Sequence, residues 1–168
     1  EAKPWFSLEY SLPIRNVGFI TLDDGSAGCS PDGMFEDGTG IEDLDRILGG
    51  SLPGDVLTIG ARTGTGKTAM ALALAVNMAE AGKTVAFCGG EMAPDQLVKR
   101  IISARSGVEH SRIRARRLAG ADFHNMNTAA ASIAELPIHF SNIASPSIND
   151  IRSFADASRA DVVIVDYL

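Results

Sequence analysis

At 168 residues, with 45% hydrophobic and 21% charged side chains, the chain has the composition of a globular protein with room for one domain and a sizeable core. No apolar run is long enough to span a bilayer and no signal-peptide pattern opens the sequence; Cys29 and Cys88 stand far apart without metal-ligand spacing, so a reducing, cytoplasmic setting is expected. The net charge of −6 excludes attraction of the whole surface to nucleic acid, although one stretch runs against that balance.

Two unlike parts are expected, residues 1–38 and 39–168. The first is irregular, with Pro4, Pro13 and Pro31 and turn clusters at Asp23-Asp24-Gly25-Ser26 and Pro31-Asp32-Gly33, and one short strand through Val17–Thr21. In the second part, Thr39-Gly40-Ile41-Glu42 has the spacing of a capping box and predicts a short helix with Ile41, Leu44, Ile47 and Leu48 on one face. Gly49-Gly50 ends it, and Pro53-Gly54-Asp55 turns the chain into a strand at Val56–Ile59. A glycine-rich loop leads into a helix from Ala69 to Ala81, and Thr84–Cys88 reads as the next strand. Pro94 opens another helix, in which Leu97, Val98, Ile101 and Ile102 recur at helical spacing. Further elements are a helix over Asp122–Glu135, a strand at Pro137–Phe140, a helix from Ser145-Pro146-Ser147 to about Ser158, and the β-branched strand Val162–Val165. This alternation predicts an α/β fold with a mainly parallel sheet flanked by helices.

The basic stretch carries Lys99, Arg100, Arg105, Arg112, Arg114, Arg116 and Arg117 against Glu109 alone. A solvated helical face is the plain reading; a subunit contact or a nucleic-acid-facing patch are the alternatives.

The chemistry concentrates in Ala61-Arg62-Thr63-Gly64-Thr65-Gly66-Lys67-Thr68, which follows a strand signal and opens a helix, as a phosphate-binding P-loop requires. Small residues let consecutive N–H groups curl toward phosphate oxygens, and the following helix turns its positive end to the same anion. Lys67 is placed to reach the β- and γ-phosphates of a nucleoside triphosphate, and the Thr68 hydroxyl to ligate Mg²⁺. Asp166 ends a buried parallel strand, where a second acidic group must stand for the Mg²⁺ shell. Glu91 follows the strand Thr84–Cys88 at the same sheet edge, where it can orient and deprotonate the attacking water. His110, His124 and His139 have no paired spacing that suggests a metal, and His139 reads as structural within an apolar strand.

Beyond the P-loop a series of segments comes in order: Thr39–Asp45, Gly49–Asp55, Ala61-Arg62 opening the loop with Ala in place of Gly, Gly90–Val98, Arg112-Ile113-Arg114, Leu136–His139, Ser145–Ile148 and Val163–Leu168. Over Thr39–Leu168 they resemble the ATPase domain of DnaB-type replicative DNA helicases, a RecA-like group. The resemblance implies a RecA-like P-loop NTPase fold, incomplete on its C-terminal side, that uses ATP and Mg²⁺. Residues Ala61, Arg62, Thr63, Gly64, Thr65, Gly66, Lys67 and Thr68 would hold nucleotide, Thr68 and Asp166 the metal, and Lys67 and Glu91 would serve catalysis. ATP hydrolysis would drive a hexameric ring along single-stranded DNA, with primase and a helicase loader as further partners and no membrane. The polar γ-phosphate sensor, the DNA-contacting loops and the arginine finger would lie past Leu168, leaving an exposed sheet edge and a chain that associates or is marginally soluble. Alternatives are a recombination- or clock-type RecA-like ATPase, or a non-catalytic ATP-binding assembly module. Separately, Gly28–Gly33 resembles the Ser-Pro-Asp-Gly motif of phage lambda-exonuclease-type (YqaJ-like) nucleases, with Asp32 as a metal ligand; no Glu-x-Lys triplet follows, and a turn is the preferred reading.

Overall fold

The computed structural model describes residues 19–20, 38–48 and 56–166. The expected Gly49-Gly50 stop, the Pro53-Gly54-Asp55 turn, Cys29, the Asp32 motif and Tyr167-Leu168 lie outside the described residues, as do the side chains of Ile47 and Leu48. The elements are β1 (Phe19–Ile20), α1 (Glu42–Leu48), α2 (Lys67–Glu80), β2 (Val85–Gly89), α3 (Pro94–Ser106), α4 (His110–Arg114), α5 (Gly120–Ala134), β3 (Ile138–Phe140), α6 (Ile148–Ser158) and β4 (Val162–Asp166). They fall into two compact units: Met92–Leu136 holds α3, α4 and α5, and the sheet with α1, α2 and α6 makes the other.

The sheet has the order β1-β4-β2-β3. Strand β2 is central and runs parallel to both β3 and β4, while β1 closes the outer edge of β4 antiparallel. Each β2 residue is buried, as expected of a strand covered on both faces. On one face Ala86, Cys88 and Val163 cluster with Ile151, Ala155 and Ala160 from α6 and its exit. The alternate residues Val85, Phe87 and Ile164 point the other way. Phe87 meets its register partner Phe140 with ring centroids 5.6 Å apart and tilted by 46°, worth about 1 kcal/mol beyond buried area. The strand starts are tied reciprocally: Thr84 N–H donates to the Asp161 carboxylate at 2.7 Å, and Asp161 N–H to the Thr84 carbonyl at 2.9 Å.

Helix α2 packs against β2, β3 and β4. Five successive residues, Leu72, Ala73, Leu74, Ala75 and Val76, are buried, so the helix is covered all round rather than along one stripe. Helix α1 is anchored to it: Asn77 Nδ2 donates to the Thr39 carbonyl at 3.2 Å, while the Thr39 N–H donates to the Asp45 carboxylate at 2.6 Å. Gly40, at φ 74°, lies so close to Asn77 that an added Cβ would stand 2.7 Å from it. At the start of α6 the Ser147 hydroxyl and N–H both donate to Asp150, and its C-terminus closes through Arg159 in the left-handed region at φ 49°.

In the helical unit, α3 begins with Pro at its first turn and ends at Gly107, φ 69°. Leu97 and Ile101, one turn apart, are its buried pair, with Val98 and Ile102 half-buried beside them. It packs against α4 and α5, where Ala129 and Ile133 are buried.

Two sequence expectations need correction, and one element is new. Val56–Ile59 is not a strand: the edge of β4 is taken by β1, and Val56 is left 63% exposed. His139 is exposed rather than structural, because β3 alternates and its middle residue faces outward. Helix α4 was not expected from the sequence, since five residues show no apolar period.

Candidate functional site

The loop from Ala61 to Gly66 is shaped by two glycines with positive φ, Gly64 at 77° and Gly66 at 101°, both in open space. Its internal hydrogen bonds converge on one acceptor. The Arg62 carbonyl receives the Thr65 hydroxyl at 2.6 Å, the Thr65 N–H at 3.4 Å and the Lys67 ammonium at 3.4 Å. Lys67 Nζ also donates to the Ala61 carbonyl at 3.0 Å. Its charge is therefore held over the start of the loop by the chain's own carbonyls.

Gly66 is the N-cap of α2 and offers no side-chain cap, and the first turn of α2 holds no acid. The helices α1, α3, α5 and α6 each carry Asp or Glu there. A helix N-terminus presents unpaired N–H donors and a partial positive charge, so α2 alone among the longer helices brings no anion of its own to that end. The loop residues 61–66 are exposed, and Lys67 and Thr68 are half-buried. Such a cradle fits an incoming phosphate chain.

Strand geometry brings the carboxylates to the same end. Helix α2 is about 21 Å long and β2 about 17 Å. The link from Glu80 to Val85 is tight, closed by the Lys83 N–H on the Met78 carbonyl at 3.0 Å. The helix must therefore run back along the sheet, delivering Gly66, Lys67 and Thr68 toward the carboxyl ends of the strands. At that edge Gly89 is the register partner of Asp166, and the Gly90 N–H donates to the Asp166 carbonyl at 3.0 Å. Asp166 is half-buried as the last residue of β4; Glu91, exposed, is the second residue past β2. Lysine, hydroxyl and two carboxylates thus share one edge of one unit, an arrangement able to bind a triphosphate–cation pair and to deprotonate water beside it.

Other titratable groups serve elsewhere. Burial pushes the Cys88 thiol up to about 11, so it is a neutral core residue. Among the described residues no group of three His, Cys, Asp or Glu is placed to hold a metal ion, and no helix is long and apolar enough to cross a membrane. The two loop carbonyls that receive Lys67 escaped sequence reasoning, because backbone acceptors leave no residue-type signal.

A family model described as the DnaB-like helicase C terminal domain matches residues 38–168. The chain is 32% identical over 135 residues to the replicative DNA helicase DnaB of Treponema pallidum (strain Nichols), covering 77% of this chain and 31% of that protein. It is 30% identical over 135 residues to the DnaB of Geobacillus stearothermophilus, covering 77% and 30%. Among solved structures it resembles the ATPase domain of G40P, at 26% identity and a TM-score of 0.69, over 82% of this chain and 52% of that one. A DnaB-like replicative helicase described with its interactions with primase matches at 29% identity and a TM-score of 0.57, over 62% and 26%. The match thus spans about a third of the length of each of these two DnaB proteins.

Proposed function

Since the chain belongs to the DnaB-like helicase C-terminal domain family, we propose that it is the ATP-hydrolysing motor segment of a replicative DNA helicase. The observation that carries this reading is the α2 N-terminus, which has no side-chain cap and no acid of its own yet has Lys67 held across its loop. In this reading the loop N–H groups of residues 61–68 take the phosphates, and Lys67 exchanges its bonds to Ala61 and Arg62 for the β- and γ-phosphate oxygens. The Thr68 hydroxyl and the Asp166 carboxylate hold the metal side. Bound Mg²⁺ would neutralise charge developing on the phosphate oxygens. Glu91, open to solvent, orients a water and takes its proton.

The work of the whole protein follows in the same proposal: a hexameric ring moving along single-stranded DNA and unwinding duplex, in the cytoplasm, with primase as a partner. Titration of the chain with a fluorescent ATP analogue and Mg²⁺ tests the site. Lys67→Ala is expected to abolish measurable affinity while leaving the melting temperature near that of the parent. Unchanged nucleotide binding in that variant overturns the assignment.

A further inference from the structure

We propose that the corner between α4 and α5 is a binding site for single-stranded DNA, with Arg114, Arg116 and Arg117 on its phosphates and Phe123 stacked on a base. The corner is built to hold its shape. Arg112 and the Ala119 N–H both bond the Asp122 Oδ2, at 2.5 and 2.6 Å, so one carboxylate clamps the end of α4 to the first turn of α5. The turn itself closes α4 with two backbone bonds, Arg117 N–H to the Arg112 carbonyl at 3.0 Å and Arg116 N–H to the Ile113 carbonyl at 3.2 Å. This is a Schellman closure, whose left-handed position glycine fills at least cost. Here it holds Arg116 at φ 54°, a conformation that disfavours any side chain.

The charges on this corner are available. Within the basic stretch, Lys99 is paired with Asp95 at 2.8 Å and Arg112 with Asp122, whereas Arg114, Arg116 and Arg117 are exposed. Among the described residues none of those three has a side-chain partner. Of the carboxylates nearest in sequence, Asp122 is held in the clamp, and Glu109 accepts the Ser111 hydroxyl at the far end of α4. Like charges crowded on a strained turn oppose folding, so an anion is what this surface suits. Arginine, with its planar fork, matches phosphate oxygens in pairs.

The second observation is aromatic. Phe123 directly follows the clamping Asp122 and is 54% exposed in the first turn of α5, just past the turn that carries Arg116 and Arg117. Cationic groups beside an exposed ring are the two elements of single-strand recognition, the backbone held by charge and a base by its π-face. A duplex hides its base faces and offers the ring nothing. The choice of DNA over RNA rests on the motor function proposed above; the corner itself does not.

The test is fluorescence anisotropy of labelled oligothymidylate with the full chain, without nucleotide, over a salt series. The triple change Arg114→Gln, Arg116→Gln, Arg117→Gln is expected to lower the slope of log affinity against log salt by about 2, at roughly 0.7 per phosphate contact. Phe123→Ala should weaken binding about ten-fold without changing that slope, and Phe123→Tyr should restore it. Arg116→Gly removes one charge while relieving the left-handed turn, so binding falls although the melting temperature holds or rises. An unchanged slope in the triple variant overturns the proposal. So does a triple variant that loses self-association instead of oligonucleotide, which would give the surface to a second copy of the chain. ATP titration of the same proteins keeps the two readings apart: oligothymidylate bound through this corner by a chain that fails to bind ATP supports the corner and removes only the motor.

Discussion

Gly66 offers a clean measure of how much of the nucleotide site is backbone shape. It sits at φ 101° and ψ 21°, and a Cβ added there meets nothing within 4 Å, so Gly66→Ala introduces conformational strain without collision. Left-handed backbone costs a side chain about 1–2 kcal/mol. The loop is exposed and can relax in the free protein, but bound phosphate demands the original curl. The strain therefore appears in binding, as a loss of about 5- to 30-fold in ATP affinity at 1.4 kcal/mol per decade. Gly82, at φ 89° and equally open, closes the other end of the same helix. Gly82→Ala carries similar strain into the fold itself, lowering the melting temperature by roughly 2–8 °C, with nucleotide affinity unchanged. The pair is read by fluorescent-nucleotide titration and thermal melts. Parental affinity in Gly66→Ala, or equal losses of affinity in both, refutes the reasoning.

Other expectations follow from single residues. In a Cys29→Ser background, Cys88 should alkylate with iodoacetamide only as the chain unfolds, because burial keeps its thiol protonated with a pKa of about 11; fast labelling of the native protein contradicts its place in the core. The hydroxyl and N–H of Ser147 hold the Asp150 carboxyl below its ordinary value of 3.8. Its folded pKa is the lower one, so its contribution is complete above 3.8 and is lost as pH falls below it. Asp150→Asn should accordingly flatten the acid limb of stability in melts between about pH 5 and pH 3. Arg159→Gly, at φ 49°, should stabilise the fold by about 0.5–1 kcal/mol, and a drop in melting temperature argues against left-handed strain at that C-terminus.

What could be read in the sequence is what short-range physics controls. The P-loop segment is legible because its chemistry needs particular residues in consecutive positions. The strands β2 and β4 are legible because parallel burial selects unbroken β-branched and apolar runs, and α3 because Leu97 and Ile101 recur one turn apart. Val56–Ile59 has the same apolar character as β4 but joins no strand among the described residues, since pairing depends on which edge is open, and that is a property of the whole sheet. His139 shows the same limit: three residues are too few to reveal which of them faces outward. The basic stretch reads as one helical face in sequence, whereas in the fold Lys99 and Arg112 are paired with carboxylates and the arginines on the turn are not. For the candidate site, residue types pointed to Lys67, Thr68, Glu91 and Asp166, whereas the carbonyls that steady Lys67 carry no signature in the sequence.

The two-residue strand β1 bears on how this sheet assembles in time. Phe19 and its partner Ile164 across the edge lie far apart in sequence, so closing that contact carries a large loop entropy for few bonds. The five-residue register between β2 and β4 joins segments much closer in sequence and repays its closure sooner. The outer edge is accordingly the last seam to form and the first to part. Whenever it parts, β4 shows a free row of N–H and C=O groups to any strand nearby, and the winner is set by local concentration rather than by fit. Because β4 ends in Asp166, an exchange of strands at that seam reaches the nucleotide edge through the same backbone.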